Sequence, residues 1–222
     1  MDPLVIALPK GRMQGESLEL FRAIGYGIDK RRIGRRLIFE DDSVSLRFIL
    51  AKPTDVPIYV EYGAADLGVV GEDTLRESDR RVYEPLALGF GKCHLALAGP
   101  PSARERNMRL ESSVRVASKY PNLARRYFEG LGISAEIIPL SGSVELGPAV
   151  GLADLVVDLV DSGRTLREND LVELETIMES QAMLIVNHAS HKMRFAAIQD
   201  LVRRLAEELT RRGDALTAEG DV

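Results

Sequence analysis

The sequence has few of the residues that build disulfide frameworks or zinc centres. Cys93 is the single cysteine among 222 residues, so an internal disulfide is excluded and a reducing compartment is expected. The three histidines, His94, His188 and His191, do not stand at metal-ligand spacing with the cysteine or with acidic residues. His188 and His191 could share a helix face, and a surface or core pair is the simpler explanation of that spacing.

Long apolar runs and an excess of positive charge are also missing. No apolar run reaches the ~18 residues of a membrane span, and the first residues lack the pattern of a secretory signal. These features predict a cytoplasmic protein that does not enter a membrane. The net charge is −5, from 29 basic and 34 acidic residues, which argues against nucleic-acid binding because phosphates need a basic excess.

What the sequence does have is short apolar strands that alternate with amphipathic helices. The first series includes strands at Leu4–Leu8 and Leu67–Val70 and a helix at Met13–Ala23. A second series begins where the composition changes, around residues 89–92. Such alternation predicts mostly parallel sheets that bind ligands at the carboxyl ends of their strands. Two series in one chain predict two α/β domains with a cleft between them.

The last elements are a strand at Ala182–Val186 and one long helix at about Lys192–Arg212. Phe195, Ile198 and Leu205 belong to the apolar stripe of that helix. The strand and the helix have no partners in the second series, so we place them with the first. The predicted domains are therefore residues 1–91 with 181–222, and residues 92–180.

A strand–turn–helix stretch stands at the centre of the second predicted domain. An apolar run containing Asp158 predicts a buried strand, Ser162-Gly163 ends it, and Thr165 stands where the N-cap of a helix over residues 166–174 is expected. Such a turn offers backbone N–H groups to an anion. Because Asp158 and Asp161 would repel a bare phosphate, they favour a phosphorylated sugar or a magnesium-bound phosphate.

An ordinary strand-to-helix connection is the alternative interpretation of this turn. The phosphosugar interpretation is favoured by the paired acids and by Glu145, which could add a third carboxylate to the same mouth. A second strand–turn–helix unit carries Lys10 and Arg12 in its turn. These cations suit a polyphosphate, although a basic turn that faces solvent fits the spacing equally well.

Five motifs, taken in order along the chain, resemble those of one enzyme family. They are Pro9–Arg12, Asp55–Val60, Gly63–Gly71, Gly142–Glu145 and Gly151–Leu166. Together they resemble the ATP phosphoribosyltransferase family over nearly the whole chain. The resemblance implies a type II periplasmic-binding-protein-like α/β architecture. It also implies that a 5-phosphoribosyl group is transferred, with Mg²⁺, from phosphoribosyl pyrophosphate to N1 of ATP in the first step of histidine biosynthesis.

The chain length is similar to that of the short form of this family. The short form implies a homodimer of catalytic chains that works with a regulatory subunit resembling histidyl-tRNA synthetase, in a hetero-octamer. On this resemblance, residues 1–91 with 181–222 form the nucleotide and dimer-contact domain. Residues 92–180 form the domain that carries the phosphoribosyl pyrophosphate loop.

The resemblance also implies roles for individual residues. The residues that it assigns to phosphoribosyl pyrophosphate are Glu145, Asp158, Asp161, Ser162, Gly163, Arg164 and Thr165, with Asp158 as a metal ligand. Those that it assigns to ATP are Lys10, Gly11 and Gly71. Arg12 and Arg35 are the catalytic candidates. Arg35 is expected to act across the dimer interface, with Arg36 as the alternative register. Lys52 stands where the family more often has arginine, and it lacks the planar guanidinium fork.

Three rival functions are compatible with parts of this pattern. A solute-binding protein of the same two-lobed shape could hold a phosphorylated ligand without chemistry, but the missing export signal and the Asp158–Thr165 loop argue against it. The sensing half of a transcriptional regulator would need a helix-turn-helix segment, which the sequence does not indicate. Other phosphoribosyltransferases usually place two adjacent acids before the turn, whereas Leu159-Val160 separates Asp158 from Asp161.

Overall fold

The computed structural model describes residues 2–28, 37–41, 43, 45–110 and 113–219, and for residues 214–219 it describes the backbone alone. The chain forms two compact units. Unit 1 consists of Met1–Gly91 and Gln181–Val222, and unit 2 consists of Lys92–Ser180. Arg35 and Arg36 lie outside the described residues. No helix in the described part of the chain is long and apolar enough to cross a membrane.

Strands and helices alternate along most of the chain. The strands are β1 (Leu4–Pro9), β2 (Ile38–Glu40), β3 (Leu46–Ala51), β4 (Leu67–Gly71), β5 (Tyr83–Ala87), β6 (Cys93–Gly99), β7 (Val114–Ser118), β8 (Ala135–Pro139), β9 (Leu155–Val160), β10 (Val172–Ser180) and β11 (Ala182–Val186). The helices are α1 (Gln14–Ala23), α2 (Val56–Glu61), α3 (Glu72–Ser78), α4 (Pro121–Gly130), α5 (Leu146–Ala149), α6 (Arg164–Glu168), α7 (His188–Met193) and α8 (Phe195–Glu219). Short 3₁₀ turns lie at Pro53–Asp55, Pro101–Glu105 and Met108–Leu110.

Unit 1 is built on a six-stranded sheet in the order β2-β3-β1-β4-β11-β5. β1 pairs in parallel with β3 and β4. β2 runs antiparallel to β3, and β11 runs antiparallel to β4 and β5. The prediction of mostly parallel sheets is therefore wrong for this unit. The link between β2 and β3 is too short for the crossover that a parallel pair requires.

Unit 2 is built on a five-stranded sheet in the order β10-β6-β9-β7-β8. β7 pairs in parallel with β8 and β9, whereas β6 runs antiparallel to β9 and β10. This sheet is also mixed, because β6, the strand by which the chain enters the unit, runs against the other four strands. The carboxyl ends of β7 and β9 still meet at one edge, as expected for ligand sites in α/β folds.

The core of unit 1 forms where amphipathic helices cover the sheet. Phe21 of α1 packs edge-on against Phe48 at 5.3 Å between ring centroids, and Phe39 stacks on Phe48 at 5.1 Å. From α8, Ile198 and Leu205 are fully buried in the same cluster. These contacts confirm the predicted apolar faces of the first and last helices, whose spacing of three, four and seven residues brings one stripe to the core.

The long helix predicted at about 192–212 is confirmed from Phe195 onward, but its predicted start is wrong, because residues 192 and 193 belong to α7 and the two helices are separated at Arg194. The Arg194 guanidinium donates to the carboxylate of Asp66 at 2.8 Å and to the carbonyl of Pro3 at 3.1 Å. Arginine is a good helix former, so the break follows from these tertiary contacts. Phe195, expected on the buried stripe, is 55% exposed and packs against His191.

Candidate active site

The carboxyl edge of the unit 2 sheet carries one pocket that combines acids, hydroxyls and a turn. The space between its walls, which is partly open to solvent, is about 550 Å³. Seven predicted residues line it together: Glu145, Asp158, Asp161, Ser162, Gly163, Arg164 and Thr165. The structure therefore brings into one pocket the two motifs around Glu145 and Asp158, which stand thirteen residues apart in the sequence.

The turn after β9 has a backbone conformation that favours glycine. Gly163 is the N-cap of α6 and has a φ of 66°, in the left-handed region that glycine adopts without steric cost. The expectation that Thr165 is the N-cap is therefore wrong, because Thr165 lies in the first turn of the helix. Thr165 still lines the pocket.

The helix predicted over residues 166–174 is also wrong, because α6 ends at Glu168 and β10 begins at Val172. Asp170 between them has a φ of 55°, which only a short polar residue or glycine adopts readily. A backbone hydrogen bond from Leu171 to Leu166 O, 2.9 Å long, closes the turn. Since α6 has only five residues, backbone N–H groups matter more than a helix dipole for any anion in this pocket.

Buried apolar side chains fix the walls of the pocket. Val144, next to Glu145, is buried in one cluster with Val156, Val160 and Leu166. This cluster joins the segment before α5, the strand β9 and the helix α6. The acidic side chains and the turn are therefore held by a packed core, which favours a preformed site.

The charge state of Asp158 depends on its position in the pocket wall. Burial raises the pKa of the Asp158 carboxyl, the N–H of Leu159 lowers it, and the charges of Lys119 and Glu145 act in opposite directions. Sequence reasoning missed Lys119. It directly follows β7, whose Ser118 pairs with Val157 of β9, so it stands beside Asp158 in register. Only the pairing of β7 with β9 reveals this neighbour.

The carboxylates of the pocket could provide only some of the oxygen ligands that a hard cation needs. Three carboxylates, those of Glu145, Asp158 and Asp161, line the pocket. Within the described residues, no three acidic, histidine or cysteine side chains converge to hold a metal ion. This donor set fits a cation that is held mainly by substrate phosphates and by one or two carboxylates.

The other predicted site residues that the structure describes lie in unit 1, at the carboxyl edge of its sheet. Lys10 follows β1 and donates its backbone N–H to Ala51 O of β3 at 2.8 Å. Lys52 follows β3, and Gly71 ends β4. Since β1 is parallel to β3 and β4, these positions lie along one edge. Lys10 and Lys52 are exposed.

The turn after β1 also presents Gly11 and Arg12. Gly11 has a φ of 95°, which lets the chain reverse between β1 and α1. Arg12 is exposed, and its guanidinium donates to Gly91 O at 3.3 Å. The turn therefore offers two cations, those of Lys10 and Arg12, at the edge where parallel strands end.

Gly71 allows a close approach at the end of β4. A Cβ at this position would overlap the carboxylate of Asp73, which is buried at the start of α3. Any larger residue would displace that carboxylate. Gly71 thus leaves room for the Asp73 carboxylate at the start of α3.

The structure defines a two-unit α/β protein with a pocket lined by acids and hydroxyl residues in unit 2. A histidine kinase sensor domain with similarity to periplasmic binding proteins has a TM-score of 0.53 and 15% identity, over 98% of this chain and 93% of that one. At this identity the likeness shows the fold alone. It confirms the predicted fold class.

Closer matches define the family. The family model HisG, described as ATP phosphoribosyltransferase, matches residues 52–207. An ATP phosphoribosyltransferase from Geobacillus sp. (strain WCH70) is 51% identical over 205 residues, which cover 92% of this chain and 98% of the relative. The ATP phosphoribosyl transferase (HisG:HisZ) complex from Thermotoga maritima has a TM-score of 0.80 and 31% identity, over 94% of this chain and 99% of that one. The chain therefore belongs to the ATP phosphoribosyltransferase family.

Membership confirms the predicted enzyme class. The chain is a glycosyltransferase of amino-acid biosynthesis that transfers the phosphoribosyl group of phosphoribosyl pyrophosphate to ATP, the first step of histidine biosynthesis. Enzymes of this family act with a divalent metal ion. The three rival functions that parts of the sequence pattern allowed are set aside.

Proposed function

We propose that the unit 2 pocket binds phosphoribosyl pyrophosphate with its 5′-phosphate in the Asp161–Thr165 turn. The observation that carries this proposal is that seven residues around one turn line a single pocket. Backbone N–H groups of the turn and the hydroxyls of Ser162 and Thr165 donate to the phosphate. In the described part of the chain neither hydroxyl has a hydrogen-bond partner, so both are available to a ligand.

The carboxylates of the pocket bind the sugar part of the substrate. Asp158 and Glu145 accept hydrogen bonds from the ribose hydroxyls, which are donors that a bare phosphate lacks. Burial raises the pKa of Asp158, and a nearby cation favours its ionised form. Lys119 supplies one such charge, and a metal ion bound with the substrate would supply another.

Mg²⁺ is the cation that we propose for this site. Asp158 would hold it together with the substrate's phosphate oxygens, in the manner of magnesium sites that use one or two carboxylates. When bound, the ion supplies positive charge against the pyrophosphate that leaves. The residues of the chain orient the sugar and keep its anomeric carbon accessible.

Unit 1 supplies the nucleotide side and the dimer contacts in this proposal. Lys10, Gly11 and Gly71 bind ATP at the carboxyl edge of the unit 1 sheet. N1 of the adenine attacks the anomeric carbon, the bond from that carbon to the pyrophosphate oxygen breaks, and the electron pair leaves with pyrophosphate. Arg12 stabilises the growing negative charge, a role in which one removed group costs about 3 kcal/mol. Arg35 contributes a second guanidinium from the other chain of a homodimer.

A regulatory partner completes the enzyme. The relative from Thermotoga maritima is solved as a HisG:HisZ complex. We infer that this chain likewise works with a regulatory subunit resembling histidyl-tRNA synthetase, in a hetero-octamer built on catalytic dimers, and that the assembly acts in the cytoplasm.

An absorbance assay for phosphoribosyl-ATP tests the proposed function. ATP, phosphoribosyl pyrophosphate and Mg²⁺ are mixed with the chain, alone and with the candidate regulatory subunit. We expect product formation that disappears on chelation and returns with added Mg²⁺. No product under either condition, from a folded chain, contradicts the proposal.

A complementation experiment tests the shared site. Arg35→Ala chains are mixed with Ser162→Ala/Thr165→Val chains, and each variant is nearly inactive alone. If Arg35 acts in the partner's site, mixed dimers contain one intact site and recover part of the activity. No recovery, with mixed dimers verified by mass, contradicts the role across the interface.

A further inference from the structure

Arg167 makes two hydrogen bonds with the turn after β9, and its guanidinium lies beside Gly163. Its side-chain Nη2 donates to the carbonyl of Ser162 at 3.1 Å, and its backbone N–H donates to the carbonyl of Gly163 at 3.2 Å. Its Nη1 lies 3.0 Å from the place that a Cβ on Gly163 would occupy. The guanidinium therefore lies directly against the backbone of the turn that we assign to the 5′-phosphate.

The guanidinium lies on the side of the turn away from the phosphosugar pocket. Gly163 and Leu166 line that pocket and also line a second pocket of about 470 Å³. Arg167 lines only the second. The turn is thus a wall between two pockets, with the substrate side on one face and Arg167 on the other.

The orientation of one peptide group links Arg167 to the substrate side. In a trans peptide the C=O and N–H groups point in opposite directions. Because the Ser162 carbonyl is held toward Arg167, the N–H of Gly163 in the same peptide group points away from Arg167. That direction leads to the face of the turn that lines the phosphosugar pocket.

We propose that Arg167 is a positioning residue for the phosphate-binding turn. It anchors the Ser162 carbonyl and so keeps the Gly163 N–H aimed at the 5′-phosphate, without touching the substrate. Its charge, on the far face of the turn, adds to the attraction for the anion. The inference rests on the proposed function, in which this turn takes the 5′-phosphate.

The fold of the turn does not depend on Arg167 alone. Leu166 is buried in the cluster beneath the pocket, and its carbonyl accepts hydrogen bonds from the backbones of Asn169 and Leu171. Asn169 also donates its side-chain amide to Thr165 O at 2.9 Å. Because Arg167 itself is exposed, its removal should leave the unit folded.

The test compares Arg167→Met and Arg167→Lys with the control Arg125→Met in the full chain. Arg125 is an exposed arginine of α4 in the same unit, bonded to Asn122. Calorimetric titrations measure ribose 5-phosphate, which carries the 5′-phosphate, and pyrophosphate, which does not. We expect Arg167→Met to weaken ribose 5-phosphate binding about tenfold or more. Pyrophosphate binding and the melting temperature should stay at the control's values, and Arg167→Lys should recover part of the loss.

Two results would overturn the inference. One is an affinity of Arg167→Met for ribose 5-phosphate equal to that of the wild type. The other is an equal loss for ribose 5-phosphate and pyrophosphate, which indicates a general disturbance of the pocket. Thr165→Val separates this failure from failure of the proposed function. If Thr165→Val weakens ribose 5-phosphate binding and Arg167→Met does not, only the role of Arg167 is wrong. If neither variant changes it, the phosphate site and the inference fail together.

Discussion

The hydroxyl of Ser118, at the end of β7, donates a 2.7 Å hydrogen bond to the carbonyl of Val157 in β9. The same hydroxyl accepts the backbone N–H of Tyr120 at 2.8 Å. Val157 directly precedes Asp158, so the turn that carries Lys119 is tied to the strand that carries the pocket acid. This buried bond determines the distance between a cation and a carboxylate that the proposed mechanism uses.

Ser118→Ala should therefore destabilise the protein and weaken substrate binding. The change leaves the buried Tyr120 N–H without its acceptor, at a cost of about 2 kcal/mol. For a chain of this size that cost lowers the melting temperature by roughly 4–8 °C. Scanning calorimetry measures the shift, and Ser102→Ala, at an exposed position, is the control. Equal melting temperatures for the two variants would show that the bond is unimportant.

Asp158→Asn should stabilise the protein while it impairs function. Because burial raises the pKa of Asp158 above its usual value of 3.8, the folded chain holds the proton more tightly than the unfolded chain does. The contribution of this tighter proton binding to the free energy of unfolding is fully present below pH 3.8. It is lost as the pH rises through the raised pKa of Asp158. At neutral pH the ionised carboxylate is therefore a cost, and asparagine should recover about 1 kcal/mol, roughly 2–4 °C.

The same variant should bind phosphoribosyl pyrophosphate about tenfold or more weakly. Melting curves at pH 5 and pH 8 with calorimetric titrations measure both effects, with Asp170→Asn as the exposed control. A variant that melts below the wild type at pH 8, or that keeps its affinity, would contradict the assigned role of Asp158.

Arg12→Ala should slow turnover without affecting the fold. Arg12 is exposed in the turn after β1, so little packing is lost, whereas a transition-state cation is worth on the order of 100-fold in rate. Steady-state kinetics should show a lower kcat with a melting temperature within about 2 °C of the wild type. Arg47→Ala removes an exposed arginine that pairs with Glu40 at 2.7 Å and serves as the control. A kcat equal to the control's would remove Arg12 from the mechanism.

Arg194→Met should destabilise unit 1. Arg194 and Asp66 form an ion pair of 2.8 Å with side-chain exposures of 26% and 12%, and Asp66 also accepts the N–H of Val5. Loss of the guanidinium leaves a largely buried carboxylate, at a cost of about 2–3 kcal/mol once partial solvation is allowed for. Urea unfolding measures this loss in the free energy of unfolding. The control Arg203→Met, which breaks only exposed ion pairs, should cost less than about 0.5 kcal/mol. Equal urea midpoints for Arg194→Met and Arg203→Met would contradict the stabilising role of the ion pair between Arg194 and Asp66.

Local patterns in the sequence were sufficient for elements that depend on their own residues. The apolar stripe of α1 and the apolar run of β4 follow from the spacing of their own residues. The pocket motif could also be predicted, because its glycine, hydroxyl and acidic residues are close together in the sequence and have the same chemistry in any fold. The residue roles came from the family resemblance and remain predictions.

Features that depend on distant partners could not be predicted in this way. Thr165 and Gly163 have similar N-cap propensities, and the left-handed turn at Gly163 places the helix start one residue after the glycine. The break at Arg194 is stabilised by Asp66, 128 positions earlier. Lys119 became a neighbour of Asp158 only through strand pairing, and strand order has no short-range signal.

In the proposed function, the turn around Gly163 holds the 5′-phosphate of phosphoribosyl pyrophosphate. The most direct test is a calorimetric titration of that substrate with Mg²⁺ into the wild type and into Ser162→Ala/Thr165→Val, which removes both hydroxyls and keeps the backbone. We expect the wild type to bind and the double variant to bind at least about tenfold more weakly at an unchanged melting temperature. Equal affinity in the two chains, or no binding to a folded wild type, would contradict the claim.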